Sequence, residues 1–171
     1  MATNLQFIKS ASGTSVSSLS VTDCFSADYD VYKIVTSKVD LVSNGYQRIR
    51  FISSGGVDSS SVYDTAFLEL TAYTAFSQLR FTNDDKIYYW NYSGNASSHI
   101  GGSVLYVFNP FNSSSYTFVQ HQTVSYENAN NSLRGDKGIG VQKTSVQNTG
   151  INFFPMTGNY DNITVNVYGV K

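Results

Sequence analysis

Hydrophobic and polar residues alternate along most of this chain. The clearest stretch is Tyr29 to Ser53 (YDVYKIVTSKVDLVSNGYQRIRFIS), which holds two such runs, Tyr29–Val39 and Tyr46–Ser53. In the first, Tyr32 and Ile34 share one face while Val31, Lys33 and Val35 share the other. In the second, Ile49 and Phe51 oppose Arg48 and Arg50. A period of two is the repeat of a β-strand, with one face greasy and one wet. The runs are joined by Ser43-Asn44-Gly45, and Asn-Gly favours the positive φ that a primed turn demands. The two runs are therefore predicted to form a hairpin lying over a core, its other side in solvent.

The rest of the chain reads the same way. Leu5–Ser10 and Thr14–Val21 are predicted as a first strand pair around Ser12-Gly13. The second of these is Ser-rich and offers only Val16, Leu19 and Val21 to a core, which places it at an edge. Thr22–Asp28 reads as a turn, and Ser53–Asp64, with its adjacent glycines and serine run, as a loop. Ala66–Tyr73 is predicted to turn Ala66, Leu68, Leu70 and Ala72 inward, with Phe67, Glu69, Thr71 and Tyr73 outward. Leu79–Thr82 and Ile87–Tyr92 follow, then a polar loop, Ser93–Gly102. Ser103–Asn109 is apolar nearly throughout, as a central strand covered on both faces would be. Ser115–Val124 sets Tyr116, Phe118 and Gln120 against Thr117, Val119 and His121. Tyr126–Asp136 is long and polar, and Lys137–Val146, Ile151–Phe154 and Asn162–Val170 complete the set. The last alternates cleanly, with Ile163, Val165 and Val167 on one face. Helical periodicity is convincing nowhere; Tyr63–Leu70 alternates as well as it spirals. About nine to eleven short strands without crossover helices make mostly antiparallel sheets. The expected fold is all-β: a two-sheet antiparallel β-sandwich, jelly-roll-like, with residues 1–171 as one domain.

Composition sharpens this. Charged residues are 13% and aromatics 15%, with 13 Tyr and 11 Phe, against roughly a quarter charged in an average soluble protein. A net charge of −1, with 11 basic residues spread along the chain, leaves no electrostatic footprint for nucleic acid. The lone Cys24 excludes an intramolecular disulfide and reads as a small buried residue. The opening Met-Ala-Thr-Asn has neither a basic nor an apolar export signal, and no run approaches the ~20 apolar residues that span a bilayer. The sequons at Asn91, Asn95, Asn112, Asn130 and Asn162 read as chance products of an Asn- and Ser-rich chain. The expectation is a protein made in a cytoplasm and used elsewhere without export.

Candidate chemistry is sparse. His99 sits in a polar loop and His121 in a strand, where it reads as an exposed residue. No HExxH, CxxC, GxSxG or Walker-type element occurs. Gly138-Ile-Gly140-Val-Gln-Lys lacks the third glycine and the setting of a dinucleotide site, and reads as the flexible start of a strand. Acidic groups gather at Asp23, Asp28 and Asp30, at Asp58 and Asp64, and at Asp84 and Asp85. Such carboxylates can serve calcium, but the same residues favour turns and no spacing matches a calcium loop. Paired carboxylates for sugar hydrolysis remain open on spacing alone. No cofactor and no metal are implied. The aromatics are more informative: Tyr88, Tyr89, Trp90 and Tyr92 fall in one short run, and Tyr116, Tyr126 and Tyr160 lie near loops. Exposed aromatics stack on sugar rings or anchor protein interfaces, and the same run is also consistent with a covered strand.

Several stretches taken together carry a resemblance: LQFIKS followed by SVSSLSVTDCFSADYDVYKIV, then SVLYVFNPFNSSSYTF, DKGIGV, and the closing ITVNVYGVK. The chain resembles small virion structural proteins of tailed bacteriophages, most nearly those of marine T4-like phages that infect cyanobacteria. The resemblance implies a jelly-roll-like sandwich present in many copies on tail, baseplate or capsid surface, with no catalytic signature. The expected function is a non-enzymatic virion module of the tail or baseplate region. The alternatives are a capsid decoration (cement) protein and a host-glycan-binding adhesin. Expected partners are copies of itself, as a homo-oligomer, other virion proteins and host-surface glycan, with no nucleic acid and no membrane. Tyr88, Tyr89, Trp90, Tyr92, Tyr116 and Tyr126 are the candidate interface or glycan-stacking residues.

Overall fold

A computed structural model describes residues 4–43, 45–89, 100–127 and 130–171, with the side chain of Tyr89 excepted. Among them are thirteen strands, and no helix is long and apolar enough to cross a membrane. The strands are β1 (Leu5–Val16), β2 (Leu19–Val21), β3 (Val31–Leu41), β4 (Gln47–Ser53), β5 (Gly56–Val57), β6 (Tyr63–Thr71) and β7 (Ser77–Asp84). They continue as β8 (Ile87–Tyr89), β9 (Gly101–Phe108), β10 (Thr117–Glu127), β11 (Ser132–Gln142), β12 (Asn148–Pro155) and β13 (Tyr160–Val170). All pairings are antiparallel. An eight-stranded sheet runs β1-β13-β3-β9-β10-β11-β6-β7, and a five-stranded sheet runs β2-β12-β4-β5 with β8 also on β4. The chain passes repeatedly from one sheet to the other, which gives the two-sheet, jelly-roll-like sandwich that the alternation predicts.

The predicted hairpin does not form. β3 pairs with β13 and β9 in the large sheet, and β4 pairs with β12, β5 and β8 in the small one. The two strands face each other across the core rather than lying side by side. Their apolar faces are those expected, since Tyr32, Ile34, Ile49 and Phe51 are all fully buried. Period two reports which side of a strand is greasy and is silent on which strand lies next to it. Likewise Leu5–Ser10 and Thr14–Val21 are no pair. The first continues through Val16 as β1, an edge of the large sheet, and Leu19–Val21 is β2, an edge of the small one. The edge assignment holds in both sheets. β1 carries a register shift between Phe7 and Lys9 and a left-handed residue, Ser15 (φ 56).

The apolar core lies under β13, β3 and β9. Ile163, Val165 and Val167, Tyr32 and Ile34, and Leu105 and Val107 meet Ile49, Phe51, Ile151 and Phe153 of the small sheet. Cys24 joins this core, donating to the Val21 carbonyl at 3.3 Å, and burial pushes its thiol up to about 12. β9 is central as expected, but only Ser103, Leu105 and Val107 are buried; Val104, Tyr106 and Phe108 on its other side are half-buried.

β11 shows how close the layers come. Gly138 and Gly140 both point inward, and DKGIGV is the interior of a strand rather than its flexible start. A Cβ on Gly140 would lie 2.9 Å from Ile87 of β8, and one on Gly138 would lie 2.5 Å from both His121 and Phe67. Gly138→Ala is therefore expected to lower stability by about 1–3 kcal/mol through overpacking, whereas Ile139→Ala next to it changes it by less than ~0.5 kcal/mol. Urea unfolding midpoints of the two variants measure the contrast.

Candidate functional site: the outer face of the large sheet

Beyond the apolar core the large sheet continues into β10, β11 and β6, and there the usual polarity of a strand is reversed. The inward side chains of β10 are Thr117, Val119, His121, Thr123, Ser125 and Glu127, all buried. Its outward side chains include Phe118, Val124 and Tyr126, and Phe118 is 45% exposed. In β6 the buried positions are Thr65, Phe67, Glu69 and Thr71, while Leu68 is 42% exposed. The predicted inward set, Ala66, Leu68 and Leu70, is thus the outward one.

Most of the inner polar groups are paired with one another, although Asn148 Oδ1 is buried without a hydrogen-bond partner among the described residues. His121 Nδ1 lies 3.1 Å from Asp136 Oδ1; Thr123 Oγ1 donates to the same oxygen at 2.9 Å and accepts from the Asp136 amide at 2.9 Å. Arg134 Nη1 donates to Glu127 at 2.6 Å and Nη2 to Glu69, whose other oxygen accepts from Ser77 Oγ at 2.8 Å. Asn148 Nδ2 bridges Gln142 (2.7 Å) and Thr117 (3.0 Å). A buried charge is tolerated only when paired and hydrogen-bonded, and these are. The polar run Tyr126–Asp136 is for the same reason mostly strand, with Arg134 holding β11 to β6 and β10. His121, read from sequence as an exposed strand residue, is fully buried in this network against the Phe67 ring (6.3 Å between centroids).

With the polar groups facing in, the apolar ones face out and fall into rows. One row crosses the whole sheet in register: Phe7, Tyr168, Lys33, Tyr106, Gln120, Ile139, Ala66 and Arg80. Beside it run Val31, Phe108, Phe118 and Val141. Ile139 is 62% exposed and Phe7 53%, the latter edge-on to Tyr168 at 5.7 Å. Two adjoining depressions of about 720 and 560 Å³ share Ala66, Arg80, Gln120 and Ile139. Arg80 and Lys137 are exposed on this surface, and neither has an ion pair among the described residues.

The candidate tyrosines divide between places. Tyr116 is exposed just before β10, two residues from Phe118. Tyr126 sits at the far end of that strand, half-buried, its hydroxyl donating to the Asn131 carbonyl at 2.7 Å. Tyr88 is on the small sheet, stacked on Phe81 at 4.2 Å between Arg48 (5.4 Å) and Lys86 (5.1 Å). Tyr89 pairs with Gln47 through its backbone; Trp90, Tyr92 and His99 lie outside the described residues. Tyr160 is fully buried, its hydroxyl on Gln47 at 3.3 Å, and so belongs to the core. Sequence reasoning missed Phe118, Val124, Leu68, Leu133 and Ile139. The available signal was the polar set Thr117, His121, Thr123 and Ser125 on the opposite side of β10.

Of the acidic groups, Asp64, Asp84 and Asp85 are engaged with lysine and arginine. Asp85 and Asp84 hold Lys86, and Asp85 also holds Arg50. Partial burial raises the Asp85 carboxyl, but the Lys86 hydrogen bond and the Arg50 charge outweigh it and leave it far below the usual carboxylate range. Asp64, bonded to Lys143 at 2.8 Å, is lowered as well. Asp40 is shifted the other way, raised first by desolvation and then by neighbouring Asp161. Among the described residues no three His, Cys, Asp or Glu side chains converge as a metal site. No protein-family model matches the chain, and comparison with curated proteins returns no match.

Two outcomes follow from these energetics. Glu69→Ala takes one of two carboxylates from the part-buried Arg134 and is expected to cost about 3–5 kcal/mol, whereas Leu68→Ala changes stability by less than ~0.5 kcal/mol, the reverse of what an apolar-in strand would give. For Asp40, a raised folded-state pKa means that ionisation costs stability above the ordinary aspartate range, and that the cost vanishes below it. Asp40→Asn should raise the urea midpoint at neutral pH and leave it unchanged below about pH 3.5.

Proposed function

We propose that this chain is a non-enzymatic structural subunit of a phage particle, a β-sandwich module of the tail or baseplate region. It attaches to its neighbours through the outer face of β10, β11 and β6. The observation that carries the reading is the uncovered apolar field around Phe118 and Ile139. Phe7, Leu68, Phe118, Val124, Leu133 and Ile139 are 42–62% exposed on it, and with about half of ~200 Å² showing on each they present on the order of 600 Å². The largest patch on an ordinary monomer is ~300–600 Å², and a standard interface takes ~800 Å² from each partner. The stretches shared in character with virion proteins, LQFIKS, DKGIGV and ITVNVYGVK among them, supply the kind of assembly. Of these, Ile139 of DKGIGV and Tyr168 of ITVNVYGVK lie in the outward row, so the resemblance and the surface meet at the same residues.

The test is incorporation. Particles grown with Ile139→Asp in place of the wild-type chain should lack the subunit, while the purified variant keeps its far-UV spectrum and urea midpoint. A map of the intact particle with this face in solvent, or binding of the wild-type chain to a host glycan array that Phe118→Ser abolishes, would replace the assembly reading with an adhesin.

A further inference from the structure

We infer that the occupant of this outer face is a second copy of the same chain, stacked about a two-fold axis that runs along the strands between β9 and β10. The inference rests on the assembly reading and goes beyond it by naming the partner and the symmetry.

The strand order carries it. The large sheet has eight strands, and β9 and β10 are the fourth and fifth. Sheets pack face to face with their strands within ~30° of parallel. An axis between the two middle strands sets β9 over β10 of the second copy, β3 over β11, β13 over β6 and β1 over β7. Residues in register then meet those in the mirrored strand of the same row. Phe108 meets Phe118, since the two are in register across β9 and β10. In the next row Tyr168 lies over Ala66, large on small.

Charge selects the same axis. Lys33, Lys137 and Arg80, the cations of these rows, make no ion pair among the described residues, and like charges in contact would oppose stacking. About this axis Lys33 meets Ile139 and Arg80 meets the Phe7 ring, a cation over an aromatic face. Lys137, in register with Gln122, Val104 and Val35, meets Val35. Among these three no cation meets a cation. A two-fold across the strands along the same row would set Lys33 on Lys33 and Arg80 on Arg80. The interface about the strand-parallel axis is self-complementary, as a closed dimer requires.

Sedimentation velocity of the purified full chain, from low-micromolar to sub-millimolar concentration, tests this. A reversible dimer is expected, weakened roughly thirtyfold or more by Ile139→Asp and by Phe118→Ser, each checked for an unchanged far-UV spectrum. Gln120→Cys, beside the axis, should cross-link between copies with a short bismaleimide, and Thr14→Cys, at the sheet's corner, should not. A wild-type chain that stays monomeric overturns the inference, as does a dimer insensitive to both face variants or one that cross-links through Thr14→Cys. A monomer whose incorporation is still lost on Ile139→Asp removes the second copy and leaves the assembly reading standing. A face-dependent dimer in a chain that particles lack does the opposite.

Discussion

A carboxylate taken out of water must find a partner, and three inward-pointing carboxylates decide the shape of half this molecule. Glu69 and Glu127 are held by Arg134, and Asp136 by His121 and Thr123. These groups come from β6, β10 and β11, so the network also ties three neighbouring strands together. A strand has only two sides. Once Glu69, His121 and Asp136 occupy the inner one, Leu68, Gln122 and Lys137 have no alternative to the outer. The exposed apolar field is thus the complement of the buried polar network.

This constraint also explains which parts of the fold were legible in the sequence. Ile163, Val165 and Val167 of β13, and Tyr32 and Ile34 of β3, read directly because their strands bury the greasy side, as most strands do. β6 misled for the same reason: Ala66, Leu68 and Leu70 are the apolar set, and a solitary strand offers no sign that Glu69 has Arg134, 65 positions later, waiting for it. The pairing of β3 and β4 failed at another level. Asn44-Gly45 has the composition of a tight turn, but β3 and β4 lie in different sheets, a choice set by the partners β12 and β13 at the far end of the sequence.

The candidate site was visible only in fragments. Tyr116 stood out as an aromatic near a loop and is exposed just before β10, but Phe118 and Ile139 on the outer face were not among the candidates. Tyr88 stood out too, and its ring is engaged by Arg48, Lys86 and Phe81 within the fold. Aromatic density marks where rings are plentiful; which of them reach solvent is decided by the polar residues between.

The edge strand β1 has one further consequence. As the last strand of its sheet it could template another chain's strand, and twelve residues are enough to seed continuous lateral growth. Its register slips between Phe7 and Lys9, the Lys9 ammonium is tied back to the Thr22 carbonyl at 2.7 Å, and Ser15 breaks the extended conformation near the other end. Interrupted at both ends, this border is a poor template for fibre-like extension of the sheet.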